Sequence, residues 1–208
     1  GIAKDKDGNN IENKIIAGIR LSGKINNDLR IGLLNMQTSQ DIENEISAYN
    51  NSIITLQKKV FDRSNFNIFF INRQATGKND YIEENDKFNR VIGFDYNLRS
   101  NDSKWDGKYY FHRSYSPQEN ENSNSYGIST SYESRNFGFR AAGLYIGEDF
   151  RSDLGYVRRN DIIKLYPEIS YTIWPEKSKF LNHRFELTPV FILKPELNNQ
   201  ISDYYIIS

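Results

Sequence analysis

Apolar and polar residues alternate with a period of two along most of the chain, and a helical period of 3.6 is hard to find. Between Phe88 and Arg99 the alternation is clearest. Ile92, Phe94, Tyr96 and Leu98 fall on one side, and Val91, Gly93, Asp95, Asn97 and Arg99 on the other. Tyr126, Ile128, Thr130 and Tyr132 alternate in the same way with Gly127, Ser129, Ser131 and Glu133. Phe137, Phe139, Ala141 and Tyr145 oppose Arg140, and Phe185, Leu187, Phe191 and Leu193 oppose Arg184, Glu186 and Thr188. The spacing predicts strands over 14–25, 28–38, 50–60, 65–73, 88–99, 104–115, 125–133, 136–146, 162–174, 180–193 and 200–207. Most run about 9–13 residues, long for a soluble sheet and suited to a tilted membrane strand.

The connections between these strands alternate in length. Asn26-Asn27, Phe61 to Ser64, Ser100 to Ser103, Ser134-Arg135 and Pro175 to Lys179 are short. Residues 39–49, 74–87, 116–124 and 147–161, which fall between them in turn, are longer. Such alternation is what an up-and-down barrel produces, with short turns on the periplasmic side and longer loops outside. Greek-key links in a sandwich have no reason to alternate. The expected fold class is therefore all-β, an antiparallel up-and-down transmembrane β-barrel, with residues 1–208 supplying about 11 strands of a larger one. Single-chain barrels start from the periplasm and have an even strand count, so at least one strand is expected before Gly1. Ser208 is not the aromatic residue on which such barrels generally end, so strands are expected after it as well. Three details run against regular strands: Pro167 and Pro189 would each remove a ladder hydrogen bond, and Leu33-Leu34 breaks the alternation.

Composition supports this picture. The mean hydropathy is −0.71, yet aromatic residues make up 14% of the chain, with 14 Tyr and 13 Phe. A barrel reconciles the two, because its interior and loops are polar while its lipid face is not. Lys plus Arg equals Asp plus Glu at 27 each. Without a basic surplus overall, a nucleic-acid partner is not expected. With no Cys and only 2 His, thiolate sites, disulfides and a histidine-rich zinc site are excluded, and neither a metal nor another cofactor is expected. Trp105 follows one short connection and Trp174 precedes another, so both are expected at one membrane interface, where the ring can be apolar and the N–H wet. The first residues, to Asn13, read as a polar loop.

Four stretches carry a family resemblance: Ile31 to Thr38, Val60 to Arg73, Asn89 to Arg99 and Gly147 to Asp161, in this order. Together they resemble an uncharacterised family of Gram-negative outer-membrane proteins. Its members typically carry a carbohydrate-binding family 9-like module ahead of a long C-terminal domain expected to be a β-barrel. The resemblance covers about 14–165 and implies location in the cell outer membrane, with outer-membrane lipid as a partner. It implies no catalytic residues. Residues 1–208 do not include the N-terminal module, which is expected outside them.

Candidate chemistry is sparse on this frame. His112 and Ser114 share a strand face and could form part of a barrel-wall serine hydrolase, but neither an oxyanion hole nor a third member is recognisable. A wall histidine without catalytic role is the simpler reading, and no enzymatic activity is expected. Glu148, Asp149, Asp153, Asn160 and Asp161 could hold Ca²⁺, but they lack the regular ligand spacing. A solvated acidic loop, partly neutralised by Arg151, Arg158 and Arg159, is the alternative. By alternation Arg20, Arg30, Asp95, Arg99, His112, Glu133, Arg140, Arg184 and Glu186 should point into the barrel. Ile92, Phe94, Tyr96, Leu98, Tyr126, Ile128, Tyr132, Phe137, Phe139, Phe185, Leu187 and Phe191 should face lipid. With both signs of charge inside, cross-strand pairing and a narrowed or loop-plugged interior are expected. The expected function is an outer-membrane barrel that anchors or passes a saccharide-related polar ligand, with a saccharide or another outer-membrane protein as expected partner beside the lipid. The alternative is a soluble β-rich carbohydrate-binding sandwich.

Overall fold

The computed structural model describes residues 2–4, 8–77, 80, 82–118, 121–177, 179–195 and 200–207. Its strands are β1 (Ile2–Lys4), β2 (Asn10–Glu12), β3 (Ile15–Lys24), β4 (Leu29–Thr38), β5 (Ala48–Val60), β6 (Ser64–Thr76), β7 (Phe88–Arg99) and β8 (Trp105–Tyr115). They continue with β9 (Asn124–Glu133), β10 (Phe137–Ile146), β11 (Ile162–Leu165), β12 (Glu168–Ile173), β13 (His183–Lys194) and β14 (Gln200–Ile207). A short 3₁₀ turn, Glu84–Asp86, precedes β7. The protein is all-β. β1 and β2 form a small sheet of their own, and the other twelve strands form one antiparallel sheet in which, apart from β11 and β12, neighbours in sequence pair with each other. The chain up to Asn13, read from sequence as loop, thus contains a short hairpin.

β11 and β12 occupy a single position in the sheet. Both pair with β10 on one side and with β13 on the other, so the sheet has eleven positions. The interruption falls at Tyr166-Pro167, inside the strand expected to be continuous over 162–174. Ile169 opposes Leu187 and Leu165 opposes Phe191, so the register between them sets Pro167 against Pro189. The Tyr166 N–H donates to the Ala142 carbonyl at 3.0 Å. In an antiparallel pair, hydrogen-bonded and non-bonded positions alternate. The next residue, Pro167, therefore stands where its N–H would have pointed at Pro189, and Pro189's at Pro167. The two residues that cannot donate share one slot, and the ladder resumes on both sides of it.

Cross-strand register assigns every side chain to one of two faces. Ile31, Leu56, Ile68, Phe94, Phe111, Tyr126, Tyr145, Ile163, Leu193 and Ile201 lie opposite one another in succession from β4 to β14. This apolar row has Phe94, Phe111 and Tyr126 exposed at its middle. The neighbouring row on the other face runs Arg30, Gln57, Asn67, Asp95, Tyr110, Gly127, Leu144 and Lys164. The Leu33-Leu34 irregularity has a local cause. Leu34 belongs to the polar face, where it starts an apolar row with Ile53, Ile71 and Val91. Val91 is 2% exposed, so this row forms a small covered core within the polar face.

Connections 25–28, 61–63, 100–104, 134–136 and 174–182 leave one end of the sheet; the first four are short, but the last is as long as loop 39–47, so the expected alternation of short and long does not hold there. The last is longer than expected because β13 begins at His183 rather than at 180. Loops 39–47, 77–87, 116–123 and 147–161 leave the opposite end. β3 and β14 form the two edges and pair with no further strand among the described residues. Gly1 and Ser208 lie outside the described residues.

Candidate functional site on the polar face

The covered part of the polar face lies at its loop end. Loop 147–161 crosses from β10 and is held there by side chains of three other strands. On β7, Asn89 is 1% exposed. Its amide donates to the Arg151 carbonyl at 3.1 Å, and its Oδ1 accepts the Asp153 N–H at 3.0 Å. On β8, the buried Ser114 hydroxyl accepts the Arg151 N–H at 3.1 Å. On β6, Arg73 pairs with Asp153 at 2.8 Å and lies 3.6 Å above the Tyr49 ring. Arg151 also pairs with Asp153 and, at 2.6 Å, with Asp86 of the 3₁₀ turn. Inside the loop, Phe150 is buried, and the Asn160 amide donates to the Glu148 and Phe150 carbonyls.

Burial works against the Arg151 cation. Hydrogen bonds to Asp153 and Asp86 outweigh it and hold the guanidinium above the ordinary arginine range. The four charges of the clamp (Arg73, Asp153, Arg151 and Asp86) thus compensate one another. Removing Asp153, which touches both guanidinium groups, would leave Arg73 without a counter-charge in a partly desolvated place.

Beside the clamp lies a cavity of about 570 Å³, within the usual size of small-molecule sites. Tyr49, Asn51, Arg73, Asp86, Arg151 and Asp153 line it. Asn51 Oδ1 is buried there without a hydrogen-bond partner among the described residues. A buried acceptor left unmade costs about 1–3 kcal/mol, so the cavity favours an occupant that brings a donor. Alternating carboxylates, guanidinium groups and an amide suit a ligand rich in hydroxyls, each of which donates and accepts.

Below the clamp the polar face is filled by rings that lean over glycines. A Cβ on Gly93 would stand 2.0 Å from Phe69 Cζ, and one on Gly127 would stand 2.6 Å from the Tyr110 ring. Phe69 and Tyr110 both contact the His112 imidazole, at centroid separations of 5.0 and 4.7 Å. His112 Nε2 lies 2.8 Å from Asp95 Oδ1.

The nine polar candidates all fall on this face by register, and the twelve apolar candidates all fall on the other. Asp95 pairs with His112, Arg140 with Glu168 at 3.0 Å, and Arg184 with Glu133 at 2.9 Å and Glu186 at 3.3 Å. Arg20, Arg30 and Arg99 have no carboxylate within ion-pair distance among the described residues. Trp105 and Trp174 both lie at the turn end, partly exposed. Trp105 packs edge-on against Phe139, and the Trp174 indole N–H donates to the Arg135 carbonyl at 2.9 Å.

His112 and Ser114 share the face, but the Ser114 hydroxyl is engaged with the Arg151 N–H and the Ser123 carbonyl. The acidic residues of loop 147–161 do not converge. Asp149 accepts the Asn122 N–H and Asp153 is consumed by the clamp. Among the described residues no cluster of three or more His, Cys, Asp or Glu is placed to hold a metal ion. The sequence points to Arg151 and Asp153 but not to their partners Arg73, Asp86 and Asn89. The one available signal is that Arg73 and Asn89 are polar residues on the alternating face of long strands.

Residues 4–202 match a protein family described as a domain of unknown function, DUF5916. The chain belongs to that family, which brings no assigned activity, location or ligand with it. No curated protein and no solved structure matches the chain.

Proposed function

We propose that this DUF5916 chain forms the transmembrane wall of a Gram-negative outer-membrane β-barrel, whose loop-narrowed polar interior admits a hydroxyl-rich ligand of the saccharide class. The carrying observation is the apolar row from Ile31 to Ile201, continuous over ten neighbouring sheet positions with much of it exposed. Monomeric soluble proteins rarely leave contiguous apolar surface of more than a few hundred Å² in water. A sandwich would cover this face with a second sheet, and among the described residues the one other sheet is the β1–β2 pair, with three residues per strand, too small to do so. Lipid is the cover that suits a row this long, and partly exposed Trp105 and Trp174 at one end suit a headgroup boundary.

In this reading β3 and β14 are closed by further strands, and clamp and cavity sit at the outer mouth. The ligand meets the cavity before the constriction. No catalytic role is assigned to His112 or Ser114, because the serine hydroxyl is spent on loop 147–161.

Residues 1–208 contain no Cys, so a single introduced Cys is the one labelling site within them. Nitroxides on Ile128→Cys and Ser129→Cys, in the full-length protein reconstituted into vesicles, test the reading. Position 128 should be accessible to oxygen dissolved in lipid and shielded from a water-soluble nickel chelate, and position 129 should not share that profile. Equal access of the chelate to position 128 would overturn the membrane assignment.

A further inference from the structure

At the opposite end of the polar face the balance of charge changes. A depression of about 370 Å³ lies there, and Arg63, Asn65, Arg99, Lys108, Ser129 and Arg140 contribute to its walls. Four of these are cations. Asp106 is the one acid on the walls, and its Oδ2 already accepts the Ser131 hydroxyl at 2.8 Å; Asp95, farther along the face, lies within electrostatic reach of Lys108 but is bonded to His112. Arg140 has Glu168 for a partner. Arg99 and Lys108 have no carboxylate within ion-pair distance among the described residues, and Arg63 donates only to the Asn101 carbonyl and the Ser103 hydroxyl. In a chain whose formal charge is zero, and whose other polar-face clusters pair acid with base, this surplus is local.

The neutral groups point the same way. Asn65 Oδ1 accepts from the Asn97 amide at 2.9 Å and from the Gln57 amide at 3.0 Å, so what Asn65 has left to offer is its NH₂. Lys108 stands between Asn97 and Ser129 in register, and Arg99 stands opposite Asp106 on the next strand. Donors thus converge from β6, β7, β8 and β9 on one depression. A carboxylate, with two oxygens, would fill one guanidinium fork. A tetrahedral oxyanion presents oxygens in several directions, to a planar fork on one side and a point charge on another.

We infer that this end of the polar face is a binding site for a phosphate-type oxyanion, with Arg99 and Lys108 as its principal ligands and Asn65, Ser129, Arg63 and Arg140 around them. The site does not rest on the membrane reading, because the cation surplus lies on the polar face whatever covers the apolar one. The same chemistry is carried by free phosphate, by a phosphorylated solute and by a phospholipid headgroup at the turn end of the sheet.

Calorimetric titration of the full-length protein in uncharged detergent with sodium phosphate, against sodium chloride at equal ionic strength, tests the site. Binding should appear with phosphate alone and weaken at least tenfold in both Arg99→Gln and Lys108→Gln. Neither residue has an ion-pair partner whose loss would disturb folding. Arg184→Gln, which removes a cation already held by acids, should leave phosphate affinity unchanged. In nanodiscs of phosphatidylglycerol, competition by the bilayer against added phosphate identifies the headgroup as occupant, and undiminished phosphate binding identifies a soluble one. Heat with phosphate no greater than with chloride, or phosphate binding equal in wild type, Arg99→Gln and Lys108→Gln, would overturn the inference. Neither result would alter the spin-label profile at positions 128 and 129.

Discussion

The two ends of the polar face are built from the same residue types and behave differently. At the loop end, Arg73 and Arg151 are matched by Asp153 and Asp86, and no cation of the clamp is left over. At the turn end, Arg63, Arg99 and Lys108 outnumber Asp106. The cause lies in the connections. A loop as long as 147–161 can carry Asp153 to Arg73, a residue 80 positions earlier in sequence, and so bring a counter-charge from far along the chain. A short turn carries no side chain far across the sheet, so charges there depend on what the nearest strands and the next turn offer, as Asn101 and Ser103 do for Arg63. Where the adjacent strand offers an acid that is not otherwise engaged, as Glu168 does for Arg140, a pair forms; Asp106, opposite Arg99, is held by the Ser131 hydroxyl instead. Where the strand offers Ser129 or Asn97, the cation stays available.

The comparison predicts its largest effect at Asp153. Its side chain is only 11% exposed and touches both arginines. Asp153→Ala should leave Arg73 without a counter-charge beside a second partly buried cation and destabilise the protein by about 3 kcal/mol, the lower end of the range for breaking a buried pair. Guanidinium denaturation followed by Trp fluorescence gives the size, and limited proteolysis within 147–161 shows whether the loop has left the sheet. Asp149→Ala, which removes a single hydrogen bond from the Asn122 N–H, should cost less than about 1 kcal/mol and leave the loop protected. Equal effects from the two would deny the clamp its role.

At the turn end the corresponding substitution is Arg184→Gln. This guanidinium meets Glu133, Glu186 and the Ser170 hydroxyl. Yet the Arg184 and Glu133 side chains are 42% and 66% exposed, so water screens the attraction. The loss should stay below about 1 kcal/mol at low salt and vanish at about 1 M salt, where the Debye length shrinks to about 3 Å. The Asp153→Ala loss should persist in the same salt. A salt-independent loss at Arg184 would remove the distinction between the two ends.

This difference is only partly legible in the sequence. Period-two alternation reports which face a residue takes, because a one-residue slip would move every side chain across the sheet. Residues as far apart as Arg20 and Glu186 can therefore be placed on one face with no knowledge of contacts. Alternation is silent on which charges meet along that face. Arg184 reaches Glu133 on β9 across β10 and β12, over Gly138 and Ser170, and no local signal announces it. The clamp is less visible still, since its partners come from β6, the 3₁₀ turn and loop 147–161. The β1–β2 hairpin leaves no mark because three residues per strand are too few for a period to register. Pro167 does announce trouble in its strand, but the sequence cannot reveal that the register puts Pro189 opposite.

That proline pair offers the smallest and most local test of how the sheet handles what its side chains cannot supply. If the two share a hydrogen-bonding position, Pro167→Ala restores an N–H that points at the Pro189 carbonyl. The new bond is worth about 0.5–1.5 kcal/mol, while losing proline's restriction of the unfolded chain costs about 0.4–1 kcal/mol. The two nearly cancel, so the guanidinium midpoint should barely move. Amide exchange is the sharper measurement. In the Pro167→Ala variant the new N–H at position 167 should be protected to the same degree as that of Tyr166, which already donates to Ala142, and β11 and β12 should join into one strand. With Pro189→Ala added, the amide at position 189 should become protected too, because its acceptor is the carbonyl of residue 167. A new amide at position 167 that exchanges as fast as those of loop 147–161 would mean that the β10 and β13 registers do not run unbroken through the gap. The interruption would then be a break in the strand itself, not an absence of two donors.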